Sequence, residues 1–355
     1  MLLENHSFVN SNELARNIII VDGYSATGKK LIATYLQTFS RVQKMEVNQV
    51  FRQIANLCTF DKIDKNTAKT LLNISADTFL QNTLLSRDTN FRPYDGSSIF
   101  KTYKKFEYFK RLLLKDGDNI FNIIEEKKPI LNIMTHYGLP SIDVFFNAFK
   151  ERLKFISCKR HPVYSFDHWI YIVENIRKNN KRFSSLNVKD NNLNEIPWYY
   201  LKSKDFNSEV IGDILIDKLV FLEELSNSNI QKIPPLFKNS IIEIPFEKFI
   251  MNTHVYQDLI SNFIEDKPTK ATSKYLKKEK LPSINFSKRK EIRSGISYKV
   301  FRDETESQQD FNKRMNKIKK ICSNDKFQKL IEYNINYEEN FEINYFSTKE
   351  YLKIN

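Results

Sequence analysis

Residues 17–36 read NIIIVDGYSATGKKLIATYL, and the fold is decided there. Ile18, Ile19, Ile20 and Val21 form a short β-branched run, the pattern of a strand covered on both faces. Gly23-Tyr24-Ser25-Ala26-Thr27-Gly28-Lys29 follows and fits G-x-x-x-x-G-K, after which KKLIATYLQTFSRVQKM has helical periodicity. Strand, glycine-bounded loop and helix make an anion cradle: backbone N–H groups and the helix N-terminus point positive ends at one place. Lys29 adds a charge-assisted contact. In nucleotide triphosphatases the next residue is Ser or Thr, whose hydroxyl holds magnesium. Here it is Lys30. The loop therefore suits a phosphate-bearing cofactor that reacts without a metal better than a magnesium-dependent kinase.

Working outward, three more strands are expected: KPILNIMTH (128–136), RLKFISCKRHP (152–162) and KNSIIEIPFEKFI (238–250). Helical patterns separate them, including a helical region over roughly 45–125, LPSIDVFFNAFKE, HPVYSFDHWIYIVENIRK and SEVIGDILIDKLVFLEELSN. Strands alternating with helices predict an α/β fold, a three-layer P-loop-type parallel sheet flanked by helices, with helical insertions. Residues 178–206 read as a polar insertion anchored by Trp198, Tyr199 and Tyr200. Residues 267–300 read as a basic loop, and the chain from Glu304 as charged helix. The expected organisation is one α/β domain over 1–300, with its helical insertion, and a helical extension over 301–355 packed on it.

Ligands of parallel sheets sit at the carboxyl ends of the strands. His136, in IMTHYGLP, stands just past such an end, where a neutral imidazole can take a proton from an attacking hydroxyl. In FISCKRHPVYSFDHW a strand runs into Lys159-Arg160, and Arg160 is placed to fork onto a terminal phosphate. Pro162 suits a first helical turn, and Ser165 or His168 lies within reach of the same phosphate. Glu247, in EIPFEKF, reads as a structural residue at a helix start.

The chain has 355 residues, 41% of them hydrophobic, enough for a sizeable core. No apolar run approaches the roughly 18 residues of a membrane span. The opening MLLENHSFVNSNELARN lacks a basic start and an apolar stretch, so a cytoplasmic location is expected. Cys58, Cys158 and Cys322 are odd in number and far apart, which suits a reducing compartment and no metal site. The net charge of +13 fits an anionic cofactor or acidic substrate, yet it also fits lysines that merely solvate the surface. No zinc-finger spacing, basic zipper or RNA-binding aromatic signature supports a nucleic-acid partner.

Taken in order, DGYSATGKKL, MTHYGLP, CKRHPVYSFDHW and EIPFEKF resemble the sulfotransferases that use 3′-phosphoadenosine 5′-phosphosulfate (PAPS). The basic stretch NFSKRKEIRSGI is similar to that family's late nucleotide-binding loop. The resemblance spans about residues 20 to 290. It implies that Ser25, Ala26, Thr27, Gly28, Lys29 and Lys30 hold the 5′-phosphosulfate and Arg160 the 3′-phosphate. His136 becomes the base on the acceptor, and Lys29, with Lys30 as alternative, stabilises the leaving oxygen. Lys288, Arg289 and Lys290 close over the nucleotide. The implied partners are a nucleotide donor and a hydroxyl or amine acceptor, a carbohydrate being one class, with no metal. The chain departs from the family in three places. Ser25 stands where the family loop carries its lysine, Met134 stands before Thr135-His136, and the position eight after Arg160 is His168. Two other readings stay open: a P-loop kinase using Asp22 or Glu243 for magnesium, and a non-catalytic basic binding protein on the same fold.

Overall fold

The β-branched run lies at the centre of the sheet. The computed structural model describes residues 13–47, 49–95, 97–115, 120–178, 186–189, 194–282 and 304–354. Strand β1 (Ile18–Gly23) is buried at every residue. Strands β2 (Glu46–Val47), β3 (Leu131–Met134), β4 (Leu153–Lys159) and β7 (Ile241–Pro245) join it in the order β2-β3-β1-β4-β7. All pairings are parallel. A separate antiparallel pair, β5 (Asn187–Lys189) and β6 (Glu195–Pro197), lies within the polar insertion.

Side-chain alternation divides the core. Ile18 and Ile20 share one apolar cluster with Leu131, Ile133, Leu153 and Phe155. Helices α2 (Gln49–Thr59), α3 (Lys65–Leu85) and α6 (Ile142–Phe149) cover that face. Ile19 and Val21 share the other cluster with Ile156, Cys158 and Ile244. That face is covered by α1 (Lys29–Leu36) and by α9 (Phe246–Met251), α10 (Thr253–Ile264) and α11 (Lys270–Glu279). Two short helices, α4 (Lys105–Arg111) and α5 (Ile120–Lys127), complete the segment before β3.

A third cluster sits beyond the carboxyl ends of the strands. It contains Tyr24, Tyr137 and Val163, which follow β1, β3 and β4. Over them pack α7 (Phe166–Arg177), α8 (Ile211–Gln231), the Trp198–Tyr200 turn and the C-terminal helices α12 (Glu304–Lys319), α13 (Asn324–Asn340) and α14 (Thr348–Ile354). At Gly212 the start of α8 meets the end of α12 so closely that a Cβ would collide with the Ile321 carbonyl, and Gly212 N donates to that carbonyl at 2.9 Å.

Two expectations need correction. The sheet has five strands, because Glu46–Val47 pairs with Ile133–Met134 inside the segment expected to be helical. A two-residue strand has no periodicity to read. Lys270–Glu279 is a helix, not loop: Thr269 and Thr272 form a capping box, and Tyr275 and Leu276 supply its buried face.

Candidate functional site

The loop after β1 is built by two left-handed residues, Ala26 (φ 69°) and Gly28 (φ 82°). Glycine is required at the second. Positive φ disfavours any side chain there, and a Cβ would run into the ring of Phe246. Gly28 is also the N-cap of α1, and no side chain caps it. Leu31 N turns back to the Gly28 carbonyl at 2.8 Å, which leaves the amides of Lys29 and Lys30 as the end of α1 that faces an anion. The Tyr24 carbonyl gathers the loop, accepting from Thr27 Oγ1 at 2.9 Å and Lys29 Nζ at 2.6 Å.

Lys29 is 4% exposed. Burial lowers its pKa to about 8, with the Asp22 carboxylate opposing the shift and Arg52 reinforcing it. Asp22 is itself fully buried and accepts from Thr135 Oγ1 (2.7 Å) and Leu139 N (2.8 Å). Both of its oxygens are therefore engaged by the loop after β3. Glu243 is 3.4 Å from Lys159. Lys30, one residue on, is exposed.

Register brings the next two elements to this loop. Gly23 pairs with Cys158, so Arg160 leaves β4 alongside the loop. Its Nη1 donates to the Ala26 carbonyl at 2.9 Å, and its guanidinium stacks 4.6 Å from the Phe246 ring centroid. On the other side Val21 pairs with Met134, and Tyr137 N donates to the Gly23 carbonyl at 3.4 Å. His136 thereby stands level with Gly23. It is half-buried, and its carbonyl accepts from Arg52 Nη1 at 3.3 Å.

Trp169 closes the side nearest α7. Ser165 is fully buried at the start of α7, and its Oγ has no hydrogen-bond partner among the described residues. A buried hydroxyl without a partner costs on the order of 1–3 kcal/mol, which an anionic acceptor would recover. Trp169 Nε1 donates to the Ser25 carbonyl at 2.9 Å, and Ser25 Oγ meets Tyr137 Oη at 3.0 Å. Between Gly23, Thr27, Lys159, Arg160, Trp169 and Tyr333 lies a cavity of about 10 Å³, room for one water molecule.

A partly buried polar network supports this wall. Glu223 on α8 accepts from Tyr24 Oη (3.0 Å), Lys159 Nζ (3.2 Å) and Tyr333 Oη (2.8 Å). Burial alone would raise its pKa, but Lys159 and the hydroxyl donors outweigh that and hold it low. Glu247, fully buried in the first turn of α9, accepts from His161 N (3.1 Å) and Tyr337 Oη (2.8 Å). His161 is enclosed by Phe311, Tyr337 and Phe346, with Nε2 3.2 Å from Glu338. It joins the end of β4 to the C-terminal helices.

The structure thus gathers Ser25, Ala26, Thr27, Gly28, Lys29 and Arg160 around one loop, with His136 beside it, while Ser165 lies at the start of α7, one helical turn before the Trp169 that meets the loop. His168 is half-buried on α7, three residues from Ser165. Lys288, Arg289 and Lys290 lie outside the described residues. Sequence reading did not find Arg52, Tyr137, Trp169, Lys218 or Glu223. Lys218 is buried with its ammonium 3.9 Å from the Trp169 ring centroid, one contact away from the loop. Of these only Tyr137, next to His136, carried a local signal. Among the described residues no group of three or more His, Cys, Asp or Glu side chains is placed to hold a metal ion. Nor is any helix there long and apolar enough to cross a membrane.

No protein-family model and no curated protein matches the chain. Among solved structures it is similar to the sulfotransferase domain of the olefin synthase from Synechococcus PCC 7002, at 11% identity over 76% of this chain and 78% of that one, with a TM-score of 0.35. It is also similar to sulfotransferase STF9 from Mycobacterium avium, at 10% identity over 81% of this chain and 74% of that one, with a TM-score of 0.38. Neither likeness carries an activity over to this chain, whose functional reading rests on the residues described above.

Proposed function

We propose that this protein is a sulfotransferase that moves a sulfuryl group from PAPS to a hydroxyl or amine of an acceptor, a carbohydrate being one class. The observation that carries the reading is the meeting of Arg160 with the loop at Ala26. A cradle for one anion and a fork for a second, side by side, suit a nucleotide phosphorylated at two ends. The first-turn amides of α1 and the Lys29 ammonium would hold the 5′-phosphosulfate. Arg160 and Ser165 would hold the 3′-phosphate, with His168 the alternative to Ser165. The donor supplies an activated sulfuryl group on a phosphate leaving group. His136 would take the proton from the acceptor hydroxyl, a contribution on the order of 10²–10⁴-fold. Lys29, with Lys30 as alternative, would offset the charge left on the departing oxygen.

The test is calorimetry with adenosine 3′,5′-bisphosphate in EDTA, followed by transfer of labelled sulfate from PAPS to a panel of hydroxyl acceptors. Binding without metal, and transfer abolished in His136→Ala with binding retained, support the reading. Binding of ATP only, and only with magnesium, rejects it in favour of a kinase. Steeply salt-dependent binding of generic DNA with no nucleotide affinity would favour a non-catalytic basic protein.

A further inference from the structure

The segment after α3 presents an apolar surface ringed by cations. Phe106 is 72% exposed and Leu113 is 86% exposed. They lie seven residues apart, with Lys110 between them, on the outward side of α4 and the tight turns that extend it to Leu114. The inward side fixes that orientation. Tyr108 is fully buried, and its hydroxyl accepts from Lys44 N at 2.7 Å. Arg111 is buried and donates to Gln43 Oε1 (3.0 Å) and the Thr83 carbonyl (3.2 Å). Phe91 and Phe100, each about half exposed, pack on Phe109 and widen the surface. This is an amphipathic element worn with its apolar side outward, the kind of exposed apolar surface that marks an interaction site.

The charges around it decide what it faces. Residues 86–115 contain eight cations against three acids. Two of the acids are spent locally, Asp95 on Arg92 and Glu107 on Arg111. Lys101, Lys105, Lys110 and Lys115 are exposed beside the apolar side chains. A second copy docked by a two-fold axis through this face would set its lysines against this copy's own, a repulsive match. An anionic bilayer surface accepts both features: headgroups take the lysines, and the Phe and Leu side chains enter the acyl boundary.

We propose that the face formed by Phe91, Phe100, Phe106 and Leu113, with Lys101, Lys105 and Lys110 around them, docks the protein on anionic lipid membranes. The surface is built on α4 and its flanking turns, whereas the loop after β1 is a separate site, so lipid docking stands or falls independently of the sulfotransferase reading. The test is sedimentation with phosphatidylcholine vesicles, with and without phosphatidylglycerol. The protein should bind only vesicles containing the anionic lipid. Phe106→Ser with Leu113→Ser, and separately Lys105→Glu with Lys110→Glu, should each reduce partitioning by about tenfold or more. Both pairs alter exposed side chains, so unchanged circular dichroism and melting accompany the loss. Leu113→Trp keeps the surface apolar, and the indole it introduces should shift its emission to the blue on anionic vesicles. Equal binding to neutral vesicles, partitioning unchanged by either pair, or an unshifted indole emission in Leu113→Trp would overturn the proposal. So would a dimer in solution that the same substitutions dissolve.

Discussion

Arg160 donates to the carbonyl of Ala26 at 2.9 Å, so the end of β4 is tied to the turn after β1. The two residues are 134 positions apart, and their meeting follows from the β1–β4 register in which Gly23 opposes Cys158. The guanidinium is held flat by Phe246, the ring that also confines Gly28. One aromatic side chain from α9 thus orients both halves of the proposed phosphate site.

Arg160→Ala should therefore weaken adenosine 3′,5′-bisphosphate binding by roughly ten- to a hundredfold, the worth of one charge-assisted contact. Arg160→Lys should recover little of it, because an ammonium cannot fork and stacks less well on Phe246. Calorimetry in EDTA measures both. An Arg160→Ala protein that binds the nucleotide like the parent removes this residue from the site.

Lys29 makes nucleotide binding and stability depend on pH in opposite senses. Its pKa in the fold is about 8, below the ordinary lysine value of 10.5, because it is buried. Near pH 7 it is protonated both folded and unfolded, so the full cost of burying the charge, on the order of 3 kcal/mol, is present. Between about pH 8 and 10.5 the unfolded chain binds the extra proton, so stability should rise with pH over that window. Lys29→Met should be the more stable protein at pH 7, with the gap closing towards pH 10. Anion affinity should run the other way, falling above about pH 8 as the ammonium is lost, and staying flat in Lys29→Met. Melting and calorimetry at three pH values separate the two trends.

Gly28→Ala tests the loop geometry without touching charge. The new methyl would meet Phe246, and the residue would have to keep φ near 82°. The two penalties together should cost about 2–4 kcal/mol and lower the melting temperature. Phe246→Leu in the same background should return the steric part only. A Gly28→Ala protein that melts and binds like the parent would mean that the loop has a softer shape than described.

How much was legible follows from where each signal sits in the chain. Residues 17–29 contain strand, turn and helix start within thirteen consecutive positions, so the central strand and its loop could be read directly. Arg160 and His136 were legible because each follows an apolar run, and a parallel sheet aligns strand ends. Arg52 carried no such signal: it lies on α2 and reaches His136 across 84 positions. Lys218 and Glu223 look like solvated charges on an amphipathic helix. Only packing of α8 against the insertion and the C-terminal helices buries Lys218 and half-buries Glu223, and periodicity does not encode that distant cover. The third apolar cluster was illegible for the same reason, since its aromatic residues come from stretches scattered between Tyr24 and Tyr351.

Glu223→Gln isolates what those distant helices do for the loop. The carboxylate neutralises Lys159 and accepts from Tyr24 and Tyr333, so it links loop, β4, α8 and α13. Burial would lower the Lys159 pKa, yet Glu223 and Glu243 together hold it raised. The amide cannot compensate that charge, which leaves the part-buried Lys159 with Glu243 alone, and the fold should lose roughly 1–3 kcal/mol. The sign with pH is also defined. The Glu223 pKa is depressed in the fold, so its stabilisation is present above the ordinary carboxylate range and is lost as pH falls through the folded value. The parent and Glu223→Gln stabilities should therefore converge in acid and separate towards neutral pH. Denaturant unfolding from pH 3 to 7 checks this. A constant gap across that range would mean that the carboxylate holds the loop by shape alone, with its charge contributing nothing.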